Sequence, residues 1–95
     1  MAHHCHAFAC NRVVAPKFLM CRHHWSMVKP DIQKRVWATY RRGQEIDKEP
    51  SEDYLLAQRA AVWQVFVDEG GCTWADVPEV GSRSYMIGPG VLTKR

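Results

Sequence analysis

Two stretches of the chain carry apolar residues at helical spacing, and they differ in how far those residues wrap. Between Ser26 and Arg42, Ile32, Val36, Trp37 and Tyr40 fall within an arc of roughly 140°, while Lys34, Arg35, Ala38, Arg41 and Arg42 occupy a nearly opposite arc of roughly 120°. Pro30 suits a first helical turn, where its missing N–H is no loss. Gly43 follows Arg41 and Arg42, as at a C-terminus where cations face the negative end of the dipole. The pattern predicts a basic amphipathic helix over 29–43, with Trp37 on its core side. The second stretch starts at Ser51, a good N-cap followed by Glu52 and Asp53, and stops at Gly70–Gly71. Its Tyr54, Leu55, Leu56, Val62, Trp63, Val65, Phe66 and Val67 cover well over half the circumference. A helix over 51–69 with that pattern is either central to the fold or buried by a partner, and homodimerisation through residues 54–67 is one expectation.

Elsewhere the periodicity fades. Residues 1–28 read as a loop, with a short hairpin around Arg12–Ala15, interrupted by Pro16; Phe18, Leu19 and Met20 supply its apolar contacts. Gln44–Pro50 reads as a polar linker. Residues 72–95 hold Pro78, Gly81, Gly88, Pro89 and Gly90, so Tyr85–Ile87 and Val91–Leu92 are expected as short strands or an irregular arm with a mobile end. The result is one small, mainly α domain of 95 residues.

Composition changes this picture little: 46% hydrophobic and 24% charged residues suit a folded domain. No apolar run reaches the roughly 18 residues of a membrane span, and no secretory leader is evident, so a cytoplasmic location is expected. Charge says more. Residues 1–48 hold nine Lys/Arg and three acids, whereas residues 49–95 hold four and seven, out of a net charge of +3. That asymmetry points to a basic face for an anionic partner or to pairing between halves.

The chemistry is concentrated near the start. Cys5-x4-Cys10 and Cys21-x2-His24 form two close pairs ten residues apart, a Cys3His set. Thiolate and imidazole are borderline-soft donors, and four of them close a tetrahedron around Zn2+, one per chain, in a structural role. The fold class thereby becomes a zinc-knuckle module, of treble-clef or zinc-finger kind, followed by two helices and the C-terminal arm. His24 is chosen over His23 because C-x2-H closes a knuckle more readily than C-x-H; His6 is the main substitute, and His3 or His4 could serve if Cys5 does not. Buried free cysteines are the alternative for such a set, and Cys72, outside the cluster, reads as a packed thiol. Glycine, which would ease a tight turn, is absent from this first knuckle. No acid precedes Asp31, so a metal-bound water lacks a nearby base in sequence, and a non-enzymatic role follows. Glu45, Asp47, Glu49 and Glu52 are explained by a linker and a helix N-terminus.

The motifs C-H-A-x-x-C from Cys5, L-M-C-x-x-H-W-x-M-V from Leu19, V-W-x-x-Y-x-x-G-Q-E from Val36 and S-x-x-Y-L-x-A from Ser51 resemble a group of small zinc-binding phage and prophage proteins. The similar stretch runs over Cys5–Ala60. The resemblance implies ligands at Cys5, Cys10, Cys21 and His24 and a phage or mobile-element setting, but no activity; the residue before the second cysteine, here Ala9, is commonly glycine in that group. On these grounds the expected function is nucleic-acid binding, DNA or RNA, in a regulatory role through Lys34, Arg35, Arg41 and Arg42, with Arg22 and Lys29 nearby. The alternative is a module that binds a host or defence protein, using exposed tryptophan. Trp25 is expected beside the knuckle, Trp37 and Trp63 between the two helices, and Trp74 at the surface.

Overall fold

The computed structural model describes residues 4–15, 18–40 and 51–92. Its elements are α1 (Arg22–Met27), α2 (Pro30–Thr39), α3 (Glu52–Asp68) and α4 (Arg83–Ile87), with 3₁₀ turns at Trp74–Asp76 and Pro89–Leu92. His3, Pro16, Arg41–Gly43, the linker Gln44–Pro50 and the last three residues lie outside the described residues.

Helix α3 is the spine. Ser51 caps it by accepting the Tyr54 N–H at 3.1 Å, as its sequence predicts. At the other end Gly70 takes φ +82°, its N–H reaches the Val67 carbonyl, and the Gly71 N–H reaches that of Phe66. This is the Schellman closure, which needs a left-handed residue at Gly70. Gly71 is constrained by space: a Cβ there would collide with the Phe66 ring.

The all-round apolarity of α3 is accounted for within the chain. Tyr54, Ala57, Ala61, Val62 and Val65 pack with Val28, Val36, Leu19, Met20, Cys5 and Cys21, so this face holds α2 and the cysteine loop. Trp63 and Phe66, on the other face, pack with Tyr85 under Leu56, Cys72, Val77, Met86, Val91 and Leu92. The helix is therefore central, with a core on either side.

Gln58 and Gln64 interrupt the apolar faces, and both are buried. Gln64 is fully enclosed: its Nε2 donates to the Met27 carbonyl at 2.9 Å and its Oε1 accepts the Lys29 N–H at 2.9 Å. These are the backbone groups left over where α1 ends and α2 begins, so one side chain from α3 satisfies both. Asp68 accepts a further hydrogen bond from Gln64 Nε2.

Three expectations need correcting. The basic helix is shorter than expected: α2 starts at Pro30, as its sequence predicts, but ends at Thr39 rather than at Gly43, with Tyr40 extended at φ −66°, ψ 125°, while Arg22–Met27, expected as loop, forms α1. Thr39 Oγ1 folds back onto the Arg35 and Val36 carbonyls, competing with helix continuation. The C-terminal arm is helical rather than stranded over Tyr85–Ile87: Ser82 caps α4 through the Tyr85 N–H, and Gly88 at φ +101° ends it. Among the described residues the β content is one antiparallel bridge, His4 with Val13, which places the N-terminal turn at 7–10 rather than at Arg12–Ala15.

The tryptophans also redistribute. Trp63 is fully buried against Phe66 and a stacked Tyr85, and lines a groove with Ile32, Arg35 and Thr39 of α2. Trp37 is 45% exposed instead of facing the core, because Val36 occupies the centre of the buried stripe and Trp37 falls at its edge. Trp74 is at the surface, as expected, and Trp25 is half-buried beside His24.

Candidate metal centre

The first knuckle is a backbone device. The Cys5 N–H donates to the Arg12 carbonyl, and the Cys10 N–H closes a turn onto Ala7 at 3.1 Å. Ala9 completes that turn at φ +64°, a left-handed conformation that suits glycine better than any side-chain-bearing residue. The His6 N–H donates to the Leu19 carbonyl at 3.0 Å, which brings Cys5 beside Cys21. Cys21 then precedes α1, and one helical turn carries His24 back over it.

The donor atoms of Cys5, Cys10, Cys21 and His24 all lie within 4.8 Å of one another, and this group could hold one metal ion. His24 Nδ1 stands 3.3 Å from Cys21 Sγ and 3.6 Å from Cys5 Sγ. A tetrahedral ion with sulfur at about 2.3 Å and nitrogen at about 2.0–2.1 Å sets sulfur–nitrogen edges of about 3.5–3.6 Å. The cluster fits such an ion in donor type and number, and its two nitrogen–sulfur distances lie near those edges. Cys5, Cys21 and His24 are buried and Cys10 lies at the rim.

The thiols are already differentiated. Burial pushes the Cys5 thiol up to about 11, against opposing amides of Cys21 and Ala7. Burial also opposes ionisation of Cys21, yet the amide and imidazole of His24, with the thiols of Cys5 and Cys10, outweigh it and bring Cys21 down to about 6. A bound cation would draw all three thiols into the thiolate form.

The other histidines separate by environment. His23 is exposed, with its ring against that of His24. His6 Nδ1 accepts from Gln58 Nε2 at 2.6 Å, so this ring links the loop to α3. His4 is exposed at the bridge with Val13. Cys72 lies in the other core, where burial and then Asp76 raise its thiol.

One partner is invisible in the sequence. Glu69, at the end of α3, accepts from His24 Nε2 at 3.2 Å, across a sequence separation of 45. With Nε2 carrying the proton, the lone pair lies on Nδ1, the atom that faces the sulfurs. The carboxylate missing from the first thirty residues is thus supplied from afar, but to the outer edge of the imidazole. Phe8, between the first two cysteines, meets Phe66 edge-on at 5.2 Å and fixes the loop to the same end of α3.

The basic residues do not form one stripe. Arg22 lies on α1 in the wall of an aromatic cleft, and Lys29 precedes α2 with its amide bound to Gln64. Lys34 points outward from α2, whereas Arg35 lines a different groove that also contains Asp53 and Glu79. Arg41 and Arg42 lie outside the described residues. No helix among the described residues is long and apolar enough to cross a membrane. Comparison with protein families, with curated proteins and with solved structures gives no match to this chain.

Proposed function

We propose that the chain is a metal-stapled accessory protein that binds nucleic acid through cations on and around α1 and α2, in a regulatory role. In this reading one zinc ion per chain serves structure. Four protein donors complete a tetrahedron and leave no position for a reacting water, and Glu69 sits on the imidazole rather than beside an open site. The observation that carries the nucleic-acid reading is that Arg22, Lys29 and Lys34 are exposed and, among the described residues, form no ion pair with a carboxylate. Cys21 and His24 position the start of α1, so the staple would set these cations in place. A phage or mobile-element setting rests on the motif resemblance.

Titration of fluorescently labelled DNA and RNA by fluorescence anisotropy at two salt concentrations tests this. Binding that weakens steeply with salt is expected, with a slope near three for three phosphate contacts, by the rule of about 0.9 per contact on duplex DNA. Absence of binding at low salt would overturn it. Elemental analysis should give one zinc per chain.

A second reading, a protein-binding module, is favoured by the groove between α2, α3 and residues 74–85, about 750 Å³ in volume, with Trp74 and Val80 exposed on its wall. Pulldown from host lysate with and without nuclease tests that reading, and loss of Trp74→Ala capture would locate the surface.

A further inference from the structure

The cleft between α1 and α2 has a volume of about 340 Å³ and is walled by Phe18, Trp25, Trp37, Tyr40, Tyr54 and Arg22, with Leu19, Met20 and Val36 at its floor. We infer that it takes one unstacked base of a single-stranded nucleic acid, with the adjoining phosphates held by Arg22 and Lys34. This rests on the nucleic-acid reading above and narrows it to single strands.

The ring geometry argues for a flat ligand. Trp37 is 45% exposed, and Phe18, Trp25 and Tyr40 meet it at 89°, 81° and 72°. Among the described residues no ring lies parallel to Trp37, so the stacked partner that an indole face favours is one a ligand can provide. The volume suits a single planar group, and is at the small end for a ligand pocket. A docked amphipathic helix would need anchor sites spread over several turns.

Charge selects the class of ligand. The cleft has Arg22 in its wall and, among the described residues, no carboxylate. Lys34 lies three residues before Trp37 on α2, hence beside it on the helix surface. A methylated ammonium, the other usual guest of an aromatic cage, would meet a guanidinium there. The larger groove has Arg35 balanced by Asp53 and Glu79, and offers phosphate no such advantage.

The cleft is also tied to the metal cluster. Arg22 follows Cys21 and Trp25 follows His24, so two of its walls are neighbours of ligands. Removal of the metal should abolish binding of a strand along with the staple.

The test uses the zinc-loaded full chain, a labelled twelve-nucleotide oligothymidine, a duplex of equal length, and thymidine monophosphate as competitor. The strand is expected to bind at least tenfold more tightly than the duplex and to quench tryptophan emission. Trp37→Ala should weaken the strand about five- to a hundredfold, the range of one base–aromatic stack, and leave the duplex unchanged. Arg22→Gln should reduce the salt slope by about one. Should Trp37→Ala lose zinc or helix content, Trp37→Phe, which keeps a smaller ring, is expected to fall between the two. Equal strand and duplex affinity with silent Trp37 variants would overturn the cleft while leaving the cationic surface intact; no binding of either at low salt would overturn both. Displacement by the mononucleotide at the strand's own concentration would make this a nucleotide pocket, not a strand site. A hydrophobic peptide with a free carboxylate that binds in a Trp37-dependent manner, where the strand does not, would reassign it to a protein partner.

Discussion

Among the described residues, 4–15 and 18–21 bury Cys5, Ala7, Leu19, Met20 and Cys21 with one isolated β-bridge and a few backbone hydrogen bonds to hold them. Helix α3 buries nine of its seventeen residues, caps itself at Ser51 and closes itself at Gly70. Under the zinc reading, the ion that joins Cys5, Cys10 and Cys21 to His24 orders the loop, whereas the helix depends on packing on two sides. The two share an apolar core, and polar side chains add to it: Gln58 holds His6, Glu69 holds His24, and Gln64 holds the turn between α1 and α2 that follows the loop. A helix that is apolar enough to be central thus uses polar side chains to orient the loop and the turn that follows it.

The sharpest way to break this comparison is to remove the proposed zinc ion. Structural zinc sites contribute on the order of 10–16 kcal/mol of apparent binding energy at neutral pH, which for a loop ordered by the ion is its folding energy. Chelation, or Cys21→Ser, should erase amide-exchange protection at Cys5, His6 and Cys10 while Trp63 keeps its buried emission. Protected amides at those three positions in metal-free protein would show that the loop orders itself.

Gln64 probes the seam from the helix side. Gln64→Leu keeps the volume approximately but leaves the Lys29 N–H and the Met27 carbonyl without their partner in a buried place. At about 1–3 kcal/mol for each of the two groups stranded, the expected loss is roughly 2–6 kcal/mol by urea denaturation. A change under about 0.5 kcal/mol, the usual surface value, would mean that water replaces the side chain easily.

Glu69 should matter less for folding and more for the metal. It is 37% exposed, so Glu69→Ala is expected to leave α3 intact. Zinc affinity, measured by competition with a chelator, should drop about tenfold to a hundredfold, as for other carboxylates that orient a ligating histidine. Unchanged affinity would mean that Cys21 and Cys5 alone settle the ring.

What could be read from the chain follows the distance over which each feature is decided. The extent of α3 was legible because Ser51 and Gly70 act on their own neighbours, and the four donors because two short spacings bring them together. The short helix α1 was not, since its closing residue Met27 finds its hydrogen-bond partner in Gln64 of another helix. Nor was Glu69, which no spacing connects to His24. A glutamine amid the apolar positions 61, 62 and 65 was nevertheless a signal, because a buried amide must have partners somewhere. The arm at 83–87 was misread because Tyr85 and Ile87 look like strand residues, whereas Ser82 as a cap decides otherwise. Trp37 was misplaced by treating an arc of apolar residues as uniformly buried, when Val36 alone occupies its centre.

The smallest effect concerns the first knuckle alone. Ala9 holds φ +64° between Cys5 and Cys10, and a left-handed conformation costs an L-residue roughly 1–2 kcal/mol. Ala9→Gly removes that strain but enlarges the freedom of the unfolded chain, which offsets about 0.4–1 kcal/mol. The net should be a gain of about 0.5–1 kcal/mol, seen as roughly two- to fivefold tighter zinc binding and a slightly higher Tm. The sign is what matters, because glycine in a loop ordinarily destabilises, and a loss here would mean that the turn over Ala7–Cys10 does not need the left-handed residue. Ala9→Val supplies the opposite arm: a β-branched side chain at the same φ should weaken zinc binding, leaving Trp63 and the α3 core untouched. If both substitutions move metal affinity in those directions and neither moves the stability of the metal-free chain, the strain at Ala9 belongs to the staple and not to the helix it fastens.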